Sequence, residues 1–287
     1  MEISANDVME LRNKTGAGMM DCKKALTDAA GDMEKAITIL REKGIASAQK
    51  RSERETNHGF IAKLISNNGK LAVMVELDCE TDFVSRNSDF QKLATDLAAK
   101  LAAADKSAVD RFGEDPEIAD LIKEHIGIIG ENIVIKRYGH WEINGVGCIE
   151  IYIHPGSRLA SLVELDCETE KIATDAKLHV LARNIAMHVA ASNPLALCST
   201  DLPKDVVEKE RDIYRAQALN EGKKPEFVDK IVEGRLKKFY AESCLMSQIY
   251  IRDEARKKTI QDLLHELVGK IGENIIIKRF CRFQIGA

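Results

Sequence analysis

The sequence predicts an α+β fold in which a small helical module precedes a duplicated core. Residues 71–81 return with little change as residues 159–169, and residues 129–138 return in the same order as residues 271–280. All four blocks alternate aliphatic or β-branched residues in the manner of strands. Amphipathic helical patterns lie between the paired blocks. Each copy is therefore expected to contain a strand, a helix and a strand.

Residues 1–52 are predicted to form three short helices. Ser4 and Asp7 have the spacing of a capping box at the start of the first helix. Asp32 is suited to cap the third helix, whose apolar residues follow at helical spacing, and Gly44 is expected to end it. Such a bundle is near the lower size limit for folding alone.

The glycine-rich segment at residues 16–18 allows two interpretations, a phosphate-binding loop or a tight connection between helices. A phosphate loop needs a preceding strand or a longer glycine pattern ending in Lys and Ser or Thr, so the helix connection is favoured. Lys23 in the following helix is typical of a solvated face. Residues 53–59 are small and charged and are predicted to be a mobile linker to the core.

The core divides at the boundary between the two repeats. Residues 60–145 form the first subdomain, and residues 146–200 together with 242–287 form the second. The repeated blocks are about 54 residues further apart in the second copy than in the first. The additional segment, residues 201–241, has two helical patterns joined by a turn rich in Gly and Pro, which predicts a projecting antiparallel helical hairpin.

The turn between the first repeated strand and its helix contains Thr81, Asp82, Phe83 and Val84. One interpretation is an ordinary turn whose Phe83 covers the protein's own core. The other is a wedge, in which Phe83 enters a partner protein and Asp82 competes for a polar contact there. The second copy has Glu170 and Lys171 in place of Asp82 and Phe83. The common fold does not require an aromatic residue at this position, and both interpretations remain open.

Composition and motifs restrict the classes of function. A net charge of −4 and 5% aromatic residues disfavour a nucleic-acid binder. No P-loop, zinc-protease, serine-hydrolase or EF-hand motif occurs, and the cysteines have no C-x-x-C spacing. Neither a cofactor nor a metal is predicted, and Cys79 and Cys167 fit core thiols better than nucleophiles. The absence of a long apolar run or a leader pattern predicts a cytoplasmic protein with no membrane partner.

Four ordered blocks of the chain resemble the translation elongation factor Ts family. They are LRNKTGAGMMDCKKAL at residues 11–26, TDFV at 81–84, IGENI at 129–133 and IAMHVAAS at 185–192. The resemblance implies a UBA-like three-helix module, a duplicated α+β core and a helical hairpin inserted in the second subdomain. It also implies a guanine nucleotide exchange factor for elongation factor Tu that has no catalytic chemistry of its own.

The resemblance further implies which residues contact elongation factor Tu. Asp82 and Phe83, within the turn of Thr81 to Val84, would intrude near the nucleotide and magnesium site of the GTPase domain. Other implied contacts are Lys23, Arg51, Ile129, Gly130, His154 and Arg183. Two positions depart from the family pattern: Pro155 follows His154 where Gly is usual, and Arg183 stands where some members have Lys. The alternatives are a passive or chaperone-like binding module without exchange activity, or an enzyme with a cleft between its subdomains.

Overall fold

The computed structural model describes residues 3–66 and 69–287 and has the α+β architecture expected from the sequence. The amino-terminal helices are α1 (Ala5–Thr15), α2 (Met19–Asp28) and α3 (Met33–Arg51). The first half contains β1 (His58–Ile65), β2 (Leu71–Cys79), α4 (Asp82–Ser85), α5 (Ser88–Ala103), α6 (Lys106–Val109), α7 (Pro116–Ile129) and β3 (Ile133–Glu142). The second contains β4 (Gly147–Ile153), β5 (Leu159–Cys167), α8 (Glu170–Ala173), α9 (Ala176–Ser192), α10 (Lys204–Asn220), α11 (Pro225–Ser243), α12 (Ile260–Ile271) and β6 (Ile275–Gln284).

The amino-terminal helices begin where the capping residues predict. The Ser4 side chain accepts a hydrogen bond from the Asp7 amide in a complete capping box, and Asp32 caps α3. Gly16 ends α1 in a left-handed conformation with φ 69°, which a glycine adopts without steric cost. Gly18 then precedes α2, so the glycine-rich segment is a connection between helices.

Helix α3 does not end at Gly44, in contrast to the sequence prediction, but continues to Arg51. The reason is a partner distant in sequence: Gly44 faces Gly127 of α7, and a Cβ atom on Gly127 would lie 2.6 Å from the Gly44 Cα. The absence of a Cβ at Gly127 allows the two helix backbones to approach closely at Gly44. Helix α3 thereby lies against the first half of the core, and the predicted linker residues His58 and Gly59 belong to β1.

Each half of the core contains an antiparallel three-stranded sheet, one more strand than the sequence predicted. The strand orders are β1-β2-β3 and β4-β5-β6. Val73 and Val75 of β2 belong to an apolar cluster with α5, while the alternate residue Met74 joins a cluster shared by both sheets. Helix α9 covers the second sheet in the way that α5 covers the first. The sheets thus pack against one another with helices on the outside.

Two buried carboxylates lie at the seam between the sheets, and each is paired with an arginine. Arg137 donates to Glu76 and, across the seam, to the carbonyl of Gln284 at 2.7 Å. In the second half Arg279 donates to Glu164 and to the carbonyl of Glu142 at 3.1 Å. Each half therefore donates a hydrogen bond from an arginine to a backbone carbonyl of the other half.

Helices α10 and α11, which follow α9 and precede α12, pack against one another. Buried Ala218, Val228, Val232 and Leu236 line their contact. Salt bridges such as Arg215 to Asp229, at 3.1 Å, lie along its edge. Within the described ranges, no helix is long and apolar enough to cross a membrane.

The segment that returns from the helix pair is held by buried His188 of α9. The Ile251 amide donates to its Nδ1 atom at 3.3 Å, so this nitrogen is unprotonated. The Gln248 side-chain amide nitrogen donates to backbone carbonyls, and its Oε1 atom lies 2.9 Å from His188 Nε2. Because Oε1 can only accept a hydrogen bond, Nε2 carries the proton. Burial lowers the pKa of His188, which favours this neutral form.

Candidate functional site

The turn after β2 exposes a phenylalanine on a single helical turn. Thr81 is the N-cap of α4, and its side chain accepts from the Val84 amide at 3.4 Å. Val84 is half-buried and packs on the core of the first half. Phe83 points outward and is 84% exposed. Phe83 therefore does not cover the protein's own core, and its apolar surface remains available to another molecule.

Two segments distant in sequence hold this turn. The Thr81 amide and hydroxyl donate to the two carboxylate oxygens of Glu131, at 3.0 and 2.6 Å. In the opposite direction, the Asn132 amide donates to Glu80 at 2.7 Å. The Asn132 side chain also donates to the Arg54 carbonyl at 2.9 Å. Hydrogen bonds consequently join the turn, the segment after α7 and the segment after α3.

Ile129 and Gly130 lie beside this arrangement at the end of α7. Gly130 has φ 86°, and no atom lies within 4 Å of the position that a Cβ would occupy. The glycine is needed for its backbone conformation, which turns the chain so that Glu131 reaches Thr81. Ile129 is half-buried and packs on the first core.

Asp82 makes an exposed ion pair with Arg86. The Arg86 guanidinium lies 2.9 Å from the Asp82 carboxylate, and the two side chains are 78% and 39% exposed. Exposed pairs of this kind contribute at most about 1 kcal/mol. Asp82 can therefore exchange Arg86 for a polar group of another molecule at little cost.

The second half repeats the support of the turn but not the exposed ring. The Thr169 hydroxyl donates to Glu273 at 3.0 Å, as Thr81 does to Glu131. Ile172 is buried at the place of Val84, and Lys171 is exposed at the place of Phe83. Glu170 forms an ion pair with Lys70 of the first half at 2.6 Å. The arrangement of Thr and Glu is common to both halves, whereas the aromatic residue is specific to the first.

A cleft of about 320 Å³ lies beside the contact of α3 with α7. Thr15, Arg51 and Ile128 are among the residues that line it. An ion pair between Lys43 and Asp21 connects α3 to α2 beside it. Arg51 thus lies between the bundle and the core, whereas Lys23 is exposed on α2.

His154 and Arg183 lie on elements of the second half, whereas Phe83 lies on α4 of the first. His154 is exposed in the turn between β4 and β5, and its Nδ1 atom is 2.9 Å from the Tyr152 hydroxyl. Arg183 is exposed on α9. Burial is the main cause that lowers the pKa of Lys63 in β1, and the positive charge of Arg183 lowers this pKa further. The structure therefore distributes the predicted residues over several surfaces and groups only those near the turn.

The structure gives no sign of a nucleophile at the repeated cysteines. Burial raises the pKa of Cys79 to about 12, and its thiol donates to the Thr81 carbonyl at 3.2 Å. A thiol with such a pKa remains protonated and unreactive near neutral pH. Among residues 3–66 and 69–287, no group of three or more His, Cys, Asp and Glu side chains is placed to hold a metal ion.

Sequence reasoning did not single out Glu131. The information was present in the repeat, because Thr81 and Thr169 are retained together with Glu131 and Glu273. Thr and Glu are retained together in both copies even though the residues after Thr change from Asp82 and Phe83 to Glu170 and Lys171, which is the signal expected of a contact.

Comparison with known proteins identifies the family. The family model described as "Elongation factor TS" matches residues 80–286. The chain is 45% identical over 294 aligned residues to the elongation factor Ts of Prosthecochloris aestuarii, covering 100% of this chain and 99% of the relative. It is 43% identical to that of Nitratidesulfovibrio vulgaris, with coverage of 100% and 96%, and 40% identical to that of Symbiobacterium thermophilum, with coverage of 99% and 92%. The chain belongs to the elongation factor Ts family.

Proposed function

We propose that this protein is a guanine nucleotide exchange factor that binds elongation factor Tu and promotes GDP release during translation elongation. The observation that carries the proposal is Phe83, an exposed ring on an anchored turn whose counterpart is Lys171. In this mechanism Phe83 and Asp82 insert near the nucleotide and magnesium site of the GTPase domain. The factor acts in the cytoplasm on a protein partner, without a cofactor, direct contact to nucleic acid or catalytic chemistry of its own.

The exchange is driven by differential binding. The factor must bind nucleotide-free elongation factor Tu more tightly than the GDP-bound form, and GDP must weaken the factor's binding to the same extent. Inverting a 1:99 preference to 99:1 requires roughly 5.5 kcal/mol of differential affinity. Burial of one Phe supplies about 1.5–3 kcal/mol. Phe83 alone is therefore insufficient, and a broad interface must contribute the remainder.

Several parts of the chain are proposed to share this interface. Residues 1–52 are proposed to form a UBA-like module, followed by a linker that ends where β1 begins at His58 and by a first subdomain that extends to residue 145. The second subdomain comprises residues 146–200 and 242–287, with the helical hairpin of residues 201–241 inserted in it. Beyond the turn of Thr81 to Val84, the proposed contacts are Lys23, Arg51, Ile129, Gly130, His154 and Arg183.

Asp82 has an electrostatic role in the proposal. Its carboxylate is an additional negative charge and hydrogen-bond acceptor that would approach the groups holding magnesium and phosphate. Because its pair with Arg86 is exposed and weak, the carboxylate is available for this contact.

The test is the rate of GDP release from elongation factor Tu with and without this protein. For Phe83→Ala we expect a maximal release rate about tenfold or more below wild type, the equivalent of part of one buried Phe. Binding to nucleotide-free elongation factor Tu should largely persist, since other contacts remain. The measurement is stopped-flow release of fluorescent GDP over a range of factor concentrations.

Lys171→Ala is the matched control, because it truncates the equivalent exposed side chain of the second half. Wild-type release rates for Phe83→Ala would contradict the wedge role. Binding of the intact protein with no change in the GDP off-rate would instead support a passive or chaperone-like module.

A further inference from the structure

We infer that Glu131 is a positioning residue that preorganises the turn carrying Asp82 and Phe83 for insertion into the partner. The inference rests on the proposed exchange function and adds a residue that does not itself need to touch elongation factor Tu. It follows from the two hydrogen bonds by which Glu131 holds Thr81, the residue that caps α4.

A helix as short as α4 is not stable by itself. It has four residues and no buried side chain. Fixing one helical turn restricts several backbone dihedrals in return for few hydrogen bonds, so an isolated turn of this length is unfavourable. The contacts that hold α4 must therefore come from outside it. Glu131 provides two at the N-cap, through both carboxylate oxygens.

The anchor is itself fixed in place. Asn132, the next residue, is 3% exposed and is held through its amide by Glu80 and through its side chain by the Arg54 carbonyl. The left-handed Gly130 precedes Glu131 on the other side. The Glu131 backbone is thus constrained at both ends. The orientation of α4 is set by the core rather than by its own sequence.

Rigidity at this turn matters because the Phe83 side chain is 84% exposed and has little of its surface packed on the protein. A mobile ring loses conformational freedom when it enters a pocket, and this loss reduces the binding free energy available to displace nucleotide. A turn already held in its inserting geometry avoids that loss. Hydrogen bonds to an ionised carboxylate are about twice as strong as neutral ones, which suits Glu131 to this role.

The second half provides an internal control for the inference. Glu273 accepts from the Thr169 hydroxyl through both carboxylate oxygens, as Glu131 accepts from the hydroxyl and amide of Thr81, but the turn beyond Thr169 presents Lys171. If the contact between Thr and Glu serves only the fold, removal of either carboxylate will change the rate of GDP release to the same extent. If Glu131 also positions the wedge, only its removal will slow GDP release at saturating factor.

The experiment compares Glu131→Ala with Glu273→Ala, each as the full-length protein acting on elongation factor Tu loaded with fluorescent GDP. For Glu131→Ala we expect the maximal release rate to fall about tenfold, with tight binding to nucleotide-free elongation factor Tu retained. Glu273→Ala should release GDP at the wild-type rate. Glu131→Gln, which keeps an acceptor oxygen, should recover part of the loss.

A double variant tests whether Glu131 acts through the ring. Adding Glu131→Ala to Phe83→Ala should reduce the maximal rate much less than Glu131→Ala does alone, because the ring is already absent and only Asp82 remains to be positioned. Thr81→Val and Thr169→Val form a second matched pair, in which each variant loses the hydroxyl that donates to the glutamate and accepts from the amide three residues further on. They decide the question if circular dichroism shows that Glu131→Ala does not fold.

The possible failures are distinguishable. Normal release by Glu131→Ala and Thr81→Val, together with slow release by Phe83→Ala, would overturn the inference and leave the proposed function intact. Equal losses in Glu131→Ala and Glu273→Ala would show a purely structural contact and would also overturn it. Normal release by Phe83→Ala would contradict the wedge, and the inference with it.

Discussion

At the scale of single residues, Asp78 is a buried carboxyl group in β2, the strand that leads to the turn with Phe83. It is 2% exposed, and its Oδ1 atom has no hydrogen-bond partner among the described residues. Burial is the main cause that raises the pKa of Asp78 to about 7, and the neighbouring Glu76 raises it further. Arg137, Lys136 and Arg158 oppose this rise without cancelling it. Between about pH 4 and pH 7 the folded protein therefore keeps the proton of Asp78, which the unfolded chain releases.

This difference predicts a pH-dependent effect of Asp78→Asn. In the unfolded chain Asp78 ionises above about pH 4, whereas in the folded protein it retains its proton until about pH 7. The folded state binds more protons within this window, so wild-type stability falls as the pH rises through it. The stability of Asp78→Asn relative to wild type should increase by about 2 kcal/mol from pH 5 to pH 8.5.

Urea unfolding at both pH values measures this effect, and Asp166→Asn is the control. Asp166 is the equivalent residue of the second half, but its carboxylate is 30% exposed and lies 3.6 Å from the Lys278 ammonium. Its replacement should show no comparable gain at high pH. An equal advantage for Asp78→Asn at pH 5 and pH 8.5 would contradict the assigned ionisation.

The exposure of individual side chains at the site could not be predicted from the sequence. The repeat indicated that the fold does not need an aromatic residue at Phe83, but it could not establish that the ring is exposed. Exposure depends on which neighbours cover the turn, and these come from segments about 50 positions away, such as Glu131. The pairing of Asp82 with Arg86 is local and could have been predicted from its helical spacing.

At the scale of secondary-structure elements, the contact of α3 with α7 decides how the amino-terminal module is attached. Gly44 and Gly127 meet at the closest approach of these helices. The two positions are not equivalent. A Cβ at Gly44 would have ordinary contacts, at 3.6 Å from the Gly127 Cα and 3.9 Å from the Lys123 carbonyl, whereas a Cβ at Gly127 would overlap the Gly44 backbone.

This asymmetry predicts opposite effects of two substitutions to alanine. Gly127→Ala should destabilise the α3 contact by about 1–3 kcal/mol, because backbone atoms cannot move aside as a flexible side chain can. Gly44→Ala should be neutral or stabilise the protein by up to about 1 kcal/mol, since alanine favours helix. Thermal unfolding and limited proteolysis between residues 52 and 57 report on this attachment. Faster cleavage of Gly44→Ala than of Gly127→Ala would contradict the geometry.

Elements with local signals were predicted from the sequence, and elements defined by distant contacts were not. The caps at Ser4 and Asp32, helix α5 and the pair α10 and α11 follow from side-chain periodicity and turn residues near them in sequence. The course of α3 through Gly44 could not be predicted, because it depends on Gly127 in another helix. Strands β1 and β4 lie outside the repeated blocks, and each becomes part of a sheet only by pairing with β2 or β5.

At the scale of the whole molecule, the two halves are joined by buried ion pairs as well as by apolar packing. The Glu76 side chain is 2% exposed, and burial raises its pKa while Arg137 lowers it. The same arginine donates to the Gln284 carbonyl of the other half. Arg137 therefore both neutralises a buried charge and connects the sheets.

Removal of this arginine should destabilise the whole protein in a pH-dependent manner. Arg137→Ala leaves the Glu76 carboxylate buried without its partner, at a cost of about 3 kcal/mol. Burial then raises the pKa of Glu76 without opposition from Arg137, so the loss of stability should be larger at pH 8 than at pH 5. Denaturant unfolding at the two pH values provides the measurement.

Two further variants complete the test of this seam. Arg279→Ala should also lower the free energy of unfolding, since it leaves the buried Glu164 without its arginine partner. Adding Glu76→Gln to Arg137→Ala should abolish most of the pH dependence. If the single and double variants lost stability equally at both pH values, ionisation of Glu76 would not be the cause.

The reciprocal contacts of Arg137 and Arg279 have the form of a two-fold interface, in which identical patches meet. A half-length chain with one such sheet would meet this requirement by forming a homodimer, and both of its turns would then have to be identical. Covalent fusion of the two copies removes that restriction. One turn can carry Phe83 and the other Lys171 while the shared interior keeps its symmetry. The fused chain thus combines a symmetric core with an asymmetric surface, which a homodimer of identical halves cannot do.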